Sequence, residues 1–248
     1  MATIDPGLAG KRILVTGASR GIGAAAARAF ADAGAHLALH YNRDPGEANG
    51  IVHTCLLQGD FTRMADVDRV VEEAIRHLGG LDVLVNNAGH MVARTPLGEM
   101  RDADIDAIFD LNARSVIVAC RQALPALEAS GGSIINVTSI AARNGGSAGS
   151  SLYASSKGFV STFTRSLATE LAPRGIRVNA VSPGVIETYF HDVYSTPDKL
   201  EAARQRTPLQ RLGSPEDCAG AFLYLASPTL GGYVTGQIIE VNGGSLMP

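Results

Sequence analysis

Tyr153 and Lys157 stand four residues apart in "SSLYASSKGFVSTFTRSLATELAP" (150–173). A helix over this stretch puts the phenol and the ammonium on one face, a turn apart. Phe159, Phe163, Leu167 and Leu171 also recur every four residues and predict the apolar stripe of that helix. An isolated Tyr-x-x-x-Lys is ordinarily a lysine snorkelling beside an amphipathic ring. Whether it is more depends on what else the chain brings to the same place. A second chemically suggestive stretch is "TGASRGIG" (16–23), which leads into the alanine-rich "AAAARAFADAG". Gly17, Gly21 and Gly23 allow a tight turn, close approach of the backbone to a pyrophosphate, and close helix–strand packing. The following helix offers its free N–H groups and the positive end of its dipole to phosphate. Ser19, Arg20 and Ile22 belong to the same turn. At the first strand–helix junction of an α/β chain, this G-x-x-x-G-x-G spacing signals dinucleotide binding.

NAD-binding chains usually carry an acid about twenty residues further on, for the ribose 2′-hydroxyl. Here the second strand ends Tyr41-Asn42-Arg43, with no acid before Asp44. Arg43 and Arg20, where a carboxylate would otherwise stand, favour a 2′-phosphate and hence NADP(H). If Arg43 is a solvated loop residue, NAD(H) stays open. Asp60 and Phe61 follow the third strand, Asp60 as a candidate acceptor for the adenine amino group. Asn87, Ala88 and Gly89 follow the fourth and are expected to line the adjacent ribose.

The elements that must position these residues are short apolar runs alternating with amphipathic segments. Candidate strands are 12–16, 36–41, 53–58, 82–87, 133–139, 176–182 and 237–241. Most are continuously hydrophobic, as parallel strands covered on both faces are. Between the third and fourth, Val67, Val70, Val71, Ala74, Ile75 and Leu78 share one helical stripe that Gly79-Gly80 ends. Right-handed crossovers then give a doubly wound, Rossmann-type α/β fold: a seven-stranded parallel sheet with helices on both faces. No composition break divides residues 1–248, so one domain is expected, with an irregular excursion around 189–206 acting as a substrate lid.

Composition narrows the function classes. The chain has 248 residues, 46% hydrophobic and 18% charged, with a net charge of −3. No basic footprint for nucleic acid or an anionic membrane is present. Cys55, Cys120 and Cys218 stand far apart without paired histidines, so neither a metal site nor a disulfide framework is indicated. The N-terminus lacks a signal-peptide pattern and no run of eighteen apolar residues exists, which makes cytoplasmic the expected location. The sequon Asn136-Val137-Thr138 falls in a predicted buried strand and reads as chance.

Taken together, "TGASRGIG" (16–23), "NNAG" (86–89), Asn112, Ser139, "YASSK" (153–157), "PGVIET" (183–188), "QRLGSPED" (210–217) and "YVTGQIIEVNGG" (233–244) resemble the short-chain dehydrogenase/reductase family. The likeness covers nearly the whole chain and is nearest the 3-oxoacyl-carrier-protein-reductase-like members. It implies a catalytic set of Asn112, Ser139, Tyr153 and Lys157. A phenol titrating near 10 is a poor proton switch at neutral pH. An ammonium about 4 Å away at an effective dielectric of about 20 would contribute roughly 4 kcal/mol, up to about three pK units. Ser139 would orient the substrate carbonyl, and Lys157 would also hold the nicotinamide ribose. Asn112 would hold a water that returns a proton to Lys157. Pro183, Gly184, Val185 and Ile186 would flank the nicotinamide, and Thr188 would reach phosphate.

Two stretches depart from the family pattern. Between strands two and three, "NRDPGEANGIVHTCLLQ" has little room for the usual helix, and the glycine- and serine-rich "RNGGSAGSS" (143–151) lengthens the approach to Tyr153. Substrate-lining candidates are His90, Met91, Ile140, Arg143, Asn144, Val185, Tyr189, Phe190, His191 and Tyr194, of mixed polarity. Acyl carrier protein as a partner would need a basic docking patch. The chain has Glu128 where such reductases tend to be basic, with Arg114, Arg121 and Arg174 as partial substitutes, so a small free carbonyl or alcohol is expected. The resemblance further implies a homotetramer, paired through helices around 102–128 and 152–172 and through the apolar C-terminal strand. Two alternatives stay open: an NAD-dependent sugar or secondary-alcohol dehydrogenase, and a dinucleotide-binding sensor without turnover.

Overall fold

The structure, a computed structural model, describes residues 5–247. Residues 1–4 and 248, at the ends of the stretches read for a leader and for the C-terminal strand, lie outside the described residues. Seven strands form one sheet: β1 (Arg12–Val15), β2 (His36–Tyr41), β3 (Cys55–Gln58), β4 (Val83–Asn86), β5 (Ser133–Val137), β6 (Arg177–Pro183) and β7 (Ile238–Val241). All pairings are parallel, in the order β3-β2-β1-β4-β5-β6-β7. The continuous apolar runs have the expected cause, since β4 and β5 are buried along their whole length. One face is covered by α1 (Gly21–Asp32) and α9 (Pro215–Ala226), which bring Phe30 and Phe222 into one core cluster. The other is covered by α2 (Met64–Leu78), α4 (Ser115–Ser130) and α6 (Ser151–Leu171) around Val70, Leu127 and Val160. Strand order reverses between β1 and β4, and the crevice outside their carboxyl ends is where this architecture places ligands.

The crossover from β2 to β3 has no α-helix. A 3-10 turn, Gly46–Gly50, takes its place. It docks on the glycine-rich turn, where Glu47 N–H donates to Ser19 O at 2.9 Å. Arg28 of α1 pins it from outside, 2.7 Å from Glu47. Further along, α3 (Asp102–Phe109) runs into α4 through one π-helical turn, Asp110–Arg114, and a single turn, α5 (Ala141–Asn144), follows β5. Among the described residues no helix is long and apolar enough to cross a membrane. Asn136 of the sequon is fully buried in β5.

Of the stripe expected on α6, Leu171 is buried in the core, Phe163 and Leu167 pack against it, and Phe159 is exposed. The sheet-facing side is Ser156, Lys157, Val160, Ser161, Thr164, Ala168 and Leu171. Small residues and hydroxyls bring the helix close to β5: Thr138 Oγ1 donates to Lys157 O at 2.9 Å, and Asn136 Nδ2 to Thr164 Oγ1 at 2.9 Å. Phe159 is exposed and stacks on Phe163, ring centroids 5.7 Å apart. The apolar stripe lies along the edge of the core, beside a hydroxyl-rich sheet-facing side that period-four hydrophobicity does not mark.

Candidate active site

The first βα turn is held from three sides. Thr16 Oγ1 donates to Val85 O (3.0 Å) and accepts from the N–H groups of Asn87 (2.9 Å) and Ala88 (3.0 Å). Asn87 Nδ2 donates to the carbonyls of Thr16 and Gly17, both at 2.9 Å, so its amide ties two loops together rather than reaching for a ligand. Gly17 lies at φ +66, and a Cβ there would come 2.9 Å from Ala88 Cα; at Gly23 it would come 2.2 Å from Gly17 O. No side chain caps the first turn of α1 among the described residues, which leaves its N–H groups for phosphate.

His40, not singled out by the sequence reading, completes this cradle. Gly17 N–H donates to its Nδ1 at 3.1 Å, which fixes the proton on Nε2, 3.0 Å from the Gly59 carbonyl that accepts it. The ring stacks on Phe61 with centroids 3.8 Å apart. Burial pushes its pKa down to about 4, against the smaller opposing effect of the Gly59 bond. Within the apolar run "HLALHY" nothing marks this histidine as a strut.

A cleft of about 1210 Å³ runs from Arg43 across the turn to Ser139 and the excursion after β6. Its walls include Gly17, Ser19, Arg20, Gly21, Ile22, Gly23, Asn42, Arg43, Phe61 and Asn87 to Gly89 at the dinucleotide end. At the other end stand Ser139, Ile140, Asn144, Tyr153, Lys157, His90, Met91, Tyr189, Phe190 and His191. Pro183 to Ile186 and Thr188 lie between them. The N–H groups of Val185 and Ile186 donate to nothing among the described residues, while Val185 O is taken by Gly213 N–H at 3.0 Å.

Several expected residues stand elsewhere. Tyr41, Asp60, Arg143 and Tyr194 are not in the cleft wall. Asp60 is occupied locally, accepting from Thr62 N–H (3.0 Å) and Thr62 Oγ1 (2.8 Å), while His40 and Phe61 line this side of the cleft. Arg20 faces the excursion after β6. Its guanidinium lies 4.6 Å over the Tyr189 ring, at the start of the excursion. Asp44 does line the cleft, its Oδ1 accepting from Gly46 N–H at 3.0 Å.

At the chemical end, Lys157 Nζ donates to Val137 O at 2.8 Å and lies 5.9 Å from the Tyr153 ring centroid. Burial lowers the ammonium to about 8. Burial raises the Tyr153 phenol above its ordinary value, partly offset by the Ser139 hydroxyl. In the free protein burial, not the expected lowering by lysine, dominates the phenol. At neutral pH both groups carry their protons. Asn112 is fully buried in the π-turn rather than on a helix surface. Its Oδ1 accepts from His90 N–H (2.9 Å), and its Nδ2 donates to His90 O (2.8 Å) and Ser156 Oγ (3.1 Å). The π-turn provides the extra residue that aims it inward. A Cβ on Gly89 would lie 3.0 Å from both Asn112 Oδ1 and Lys157 Nζ, so the glycine keeps the space between them open.

The excursion forms α7 (Tyr189–Tyr194) and α8 (Pro197–Arg206). Phe190 packs over Tyr153, centroids 5.4 Å apart. The Tyr194 hydroxyl is 3.0 Å from His90 Nδ1 and donates to Val92 O at 3.1 Å, securing α7 to the segment after β4.

A dinucleotide cradle at the switch point of a doubly wound sheet, facing a half-buried tyrosine and a buried lysine, defines a class of oxidoreductase. The chain belongs to the short-chain dehydrogenase/reductase family of NAD(P)-dependent oxidoreductases; the matching family model, described as Enoyl-(Acyl carrier protein) reductase, spans residues 17–245. It is 36% identical over 244 residues to the 3-oxoacyl-[acyl-carrier-protein] reductase of Synechocystis sp. (strain ATCC 27184 / PCC 6803 / Kazusa), covering 94% of this chain and 96% of the other. Among solved structures it resembles a short-chain dehydrogenase from Burkholderia cenocepacia J2315 in complex with NADP (36% identity, TM-score 0.89, 96% and 98% of the chains). It also resembles a 7α-hydroxysteroid dehydrogenase complexed with NADH and 7-oxo glycochenodeoxycholic acid (34% identity, TM-score 0.91, 98% and 97%).

Proposed function

We propose that the protein is an NADP(H)-dependent carbonyl reductase acting on a small ketone or 3-oxoacyl-type compound, reversible toward the secondary alcohol. The observation that carries this reading is the convergence of Ser139, Tyr153 and Lys157 at one end of a cleft whose other end is the glycine-rich turn. The residues present fit a dinucleotide: the open first turn of α1 suits the pyrophosphate, and the free N–H groups of Val185 and Ile186 suit a carboxamide oxygen. When bound, the reduced nicotinamide supplies hydride to the carbonyl carbon. The Ser139 hydroxyl orients the carbonyl oxygen, and Tyr153, protonated at neutral pH, gives that oxygen its proton. The Lys157 ammonium, fixed on Val137 O, steadies the phenolate left behind and can replenish its proton. Asn112, anchored on His90 and Ser156, lies on the replenishing route past Gly89. Residues 189–206 serve as the lid, with Phe190 excluding water from Tyr153.

Preference for NADP(H) rests on Arg43, which lines the cleft and forms no ion pair among the described residues, and on a β2 end without a carboxylate. Asp44 favours NAD(H) instead. Fluorescence titration with NADPH and NADH decides: wild type prefers NADPH, and Arg43→Ala loses at least tenfold of that preference. Equal affinities in wild type would overturn it.

A free small molecule fits better than a carrier-bound acyl chain. The arginines that could form a docking patch are occupied: Arg174 lies 2.6 Å from Glu128, Arg114 2.6 Å from Asp110 and Arg121 3.5 Å from Asp68. Assembly as a homotetramer is supported by the exposed apolar side chains Phe159 and Ile117 on α6 and α4 and by Tyr233 near β7. A panel of ketones and 3-oxoacyl thioesters assayed with both cofactors tests the activity; tight dinucleotide binding with no turnover anywhere would favour the sensor reading.

A further inference from the structure

The cleft is more basic than the chain that forms it. The sequence carries a net charge of −3, yet the walls bear Arg20, Arg43, Arg94, Lys157, Lys199 and Arg206 against Asp44 and Asp198. Arg43 and Lys157 have roles above, and Arg20 lies on Tyr189. Lys199 and Arg206 are exposed on α8. Arg94 is different, because the fold builds a socket for it.

Its Nη1 donates to Ser147 Oγ at 2.6 Å and to Ala148 O at 2.9 Å, on the glycine- and serine-rich loop ahead of α6. The two segments are stitched by Thr95 N–H donating to Gly149 O at 2.9 Å. Gly149 lies at φ +76, and a Cβ there would fall 2.8 Å from Arg94 Cγ, so the arginine stem occupies the space the glycine leaves. With Nη1 fixed and Nε enclosed by protein, Nη2 is the donor left to the cleft, a guanidinium N–H suited to a carboxylate oxygen. Nε is buried with no acceptor, and Nη2 makes no hydrogen bond among the described residues. No carboxylate pairs with Arg94 among the described residues. A guanidinium N–H without an acceptor, on an arginine of the cleft wall, suits an anionic group of the substrate.

We infer that the substrate is an oxo acid, whose carboxylate is held by the free Nη2 of Arg94 while its carbonyl lies against Ser139 and Tyr153. This deepens, and rests on, the reductase reading above. The carbonyl carbon takes the hydride and its oxygen the Tyr153 proton; the carboxylate is unchanged, and the product is a hydroxy acid. The lengthened loop 143–151 thereby acquires a purpose, as the anchor of the anion-binding arginine.

The test pairs each of 3-oxobutanoate, 4-oxopentanoate and 5-oxohexanoate with its methyl ester, using wild type, Arg94→Gln and Arg94→Lys with NADPH. At the chain length that fits, wild type favours the acid by at least tenfold in KM. Arg94→Gln loses that preference through KM, with kcat and NADPH affinity nearly kept and ester turnover unchanged; Arg94→Lys restores part of it. Esters used as well as acids by wild type, or acid and ester impaired equally in Arg94→Gln, would overturn the assignment while sparing the reductase. Calorimetry of the same acids and esters on dinucleotide-loaded protein reads the site without turnover. Acid binding that Arg94→Gln abolishes, with no reduction of any compound, would keep the carboxylate site and overturn the reductase. Acids binding no better than esters would overturn the site.

Discussion

Acid exposes the cost of burying His40 beneath the glycine-rich turn. In the fold its pKa is about 4, against about 6.5 in an unfolded chain. Between those values the unfolded state binds more protons, so stability rises with pH there. It is at full strength above about 6.5 and is lost as the pH falls toward about 4. Moving from pH 7 to pH 5 therefore removes about 2 kcal/mol through this ring alone, from the two pKa values and 1.36 kcal/mol per unit. His40→Gln keeps a neutral donor and acceptor but cannot titrate. Urea unfolding of both proteins at pH 7 and pH 5 isolates the effect, because His90 and His191, also lowered by burial, are common to both. Wild type loses about 2 kcal/mol more than the variant over that interval. Parallel losses would refute the claim that His40 is held neutral by Gly17 N–H and the Gly59 carbonyl. Dinucleotide affinity gives a second readout, since a protonated ring cannot accept from Gly17 and the turn loses its strut.

Two further outcomes follow from the chemical end. Gly89→Ala places a methyl 3.0 Å from Asn112 Oδ1 and Lys157 Nζ, so turnover falls at least tenfold while thermal unfolding stays close to wild type. For carbonyl reduction, kcat/KM is flat near neutrality and falls as Lys157 loses its proton near pH 8, and Lys157→Arg removes that limb; a limb unmoved in the variant would exclude Lys157 as its origin.

The parts of this protein written in local patterns were legible from sequence. All seven strands lie within about two residues of their expected ends, because burial on both faces leaves continuous apolar runs. The glycine-rich turn and the Tyr153–Lys157 spacing were legible for the same reason: the geometry is local. What escaped depends on partners distant in the chain. His40 sits in an apolar run, and its role exists only once Gly17, Gly59 and Phe61 surround it. Arg94 gains its meaning from Ser147 and Gly149, more than fifty residues later. The π-turn that buries Asn112 has no pattern within "IFDLNARSV" to separate it from an ordinary helix. On α6 the hydroxyl-rich face won the sheet, since short side chains permit the closer approach and the hydrogen bonds that lysine's placement needs.

Carbonyl reduction by this protein depends on Tyr153 delivering a proton to a substrate oxygen. Its most direct test is single-turnover oxidation of NADPH by a reducible ketone, in wild type and Tyr153→Phe, with NADPH affinity measured on both. The expected result is unchanged dinucleotide binding and a rate lowered at least a thousandfold in the variant; turnover by Tyr153→Phe within tenfold of wild type would contradict it.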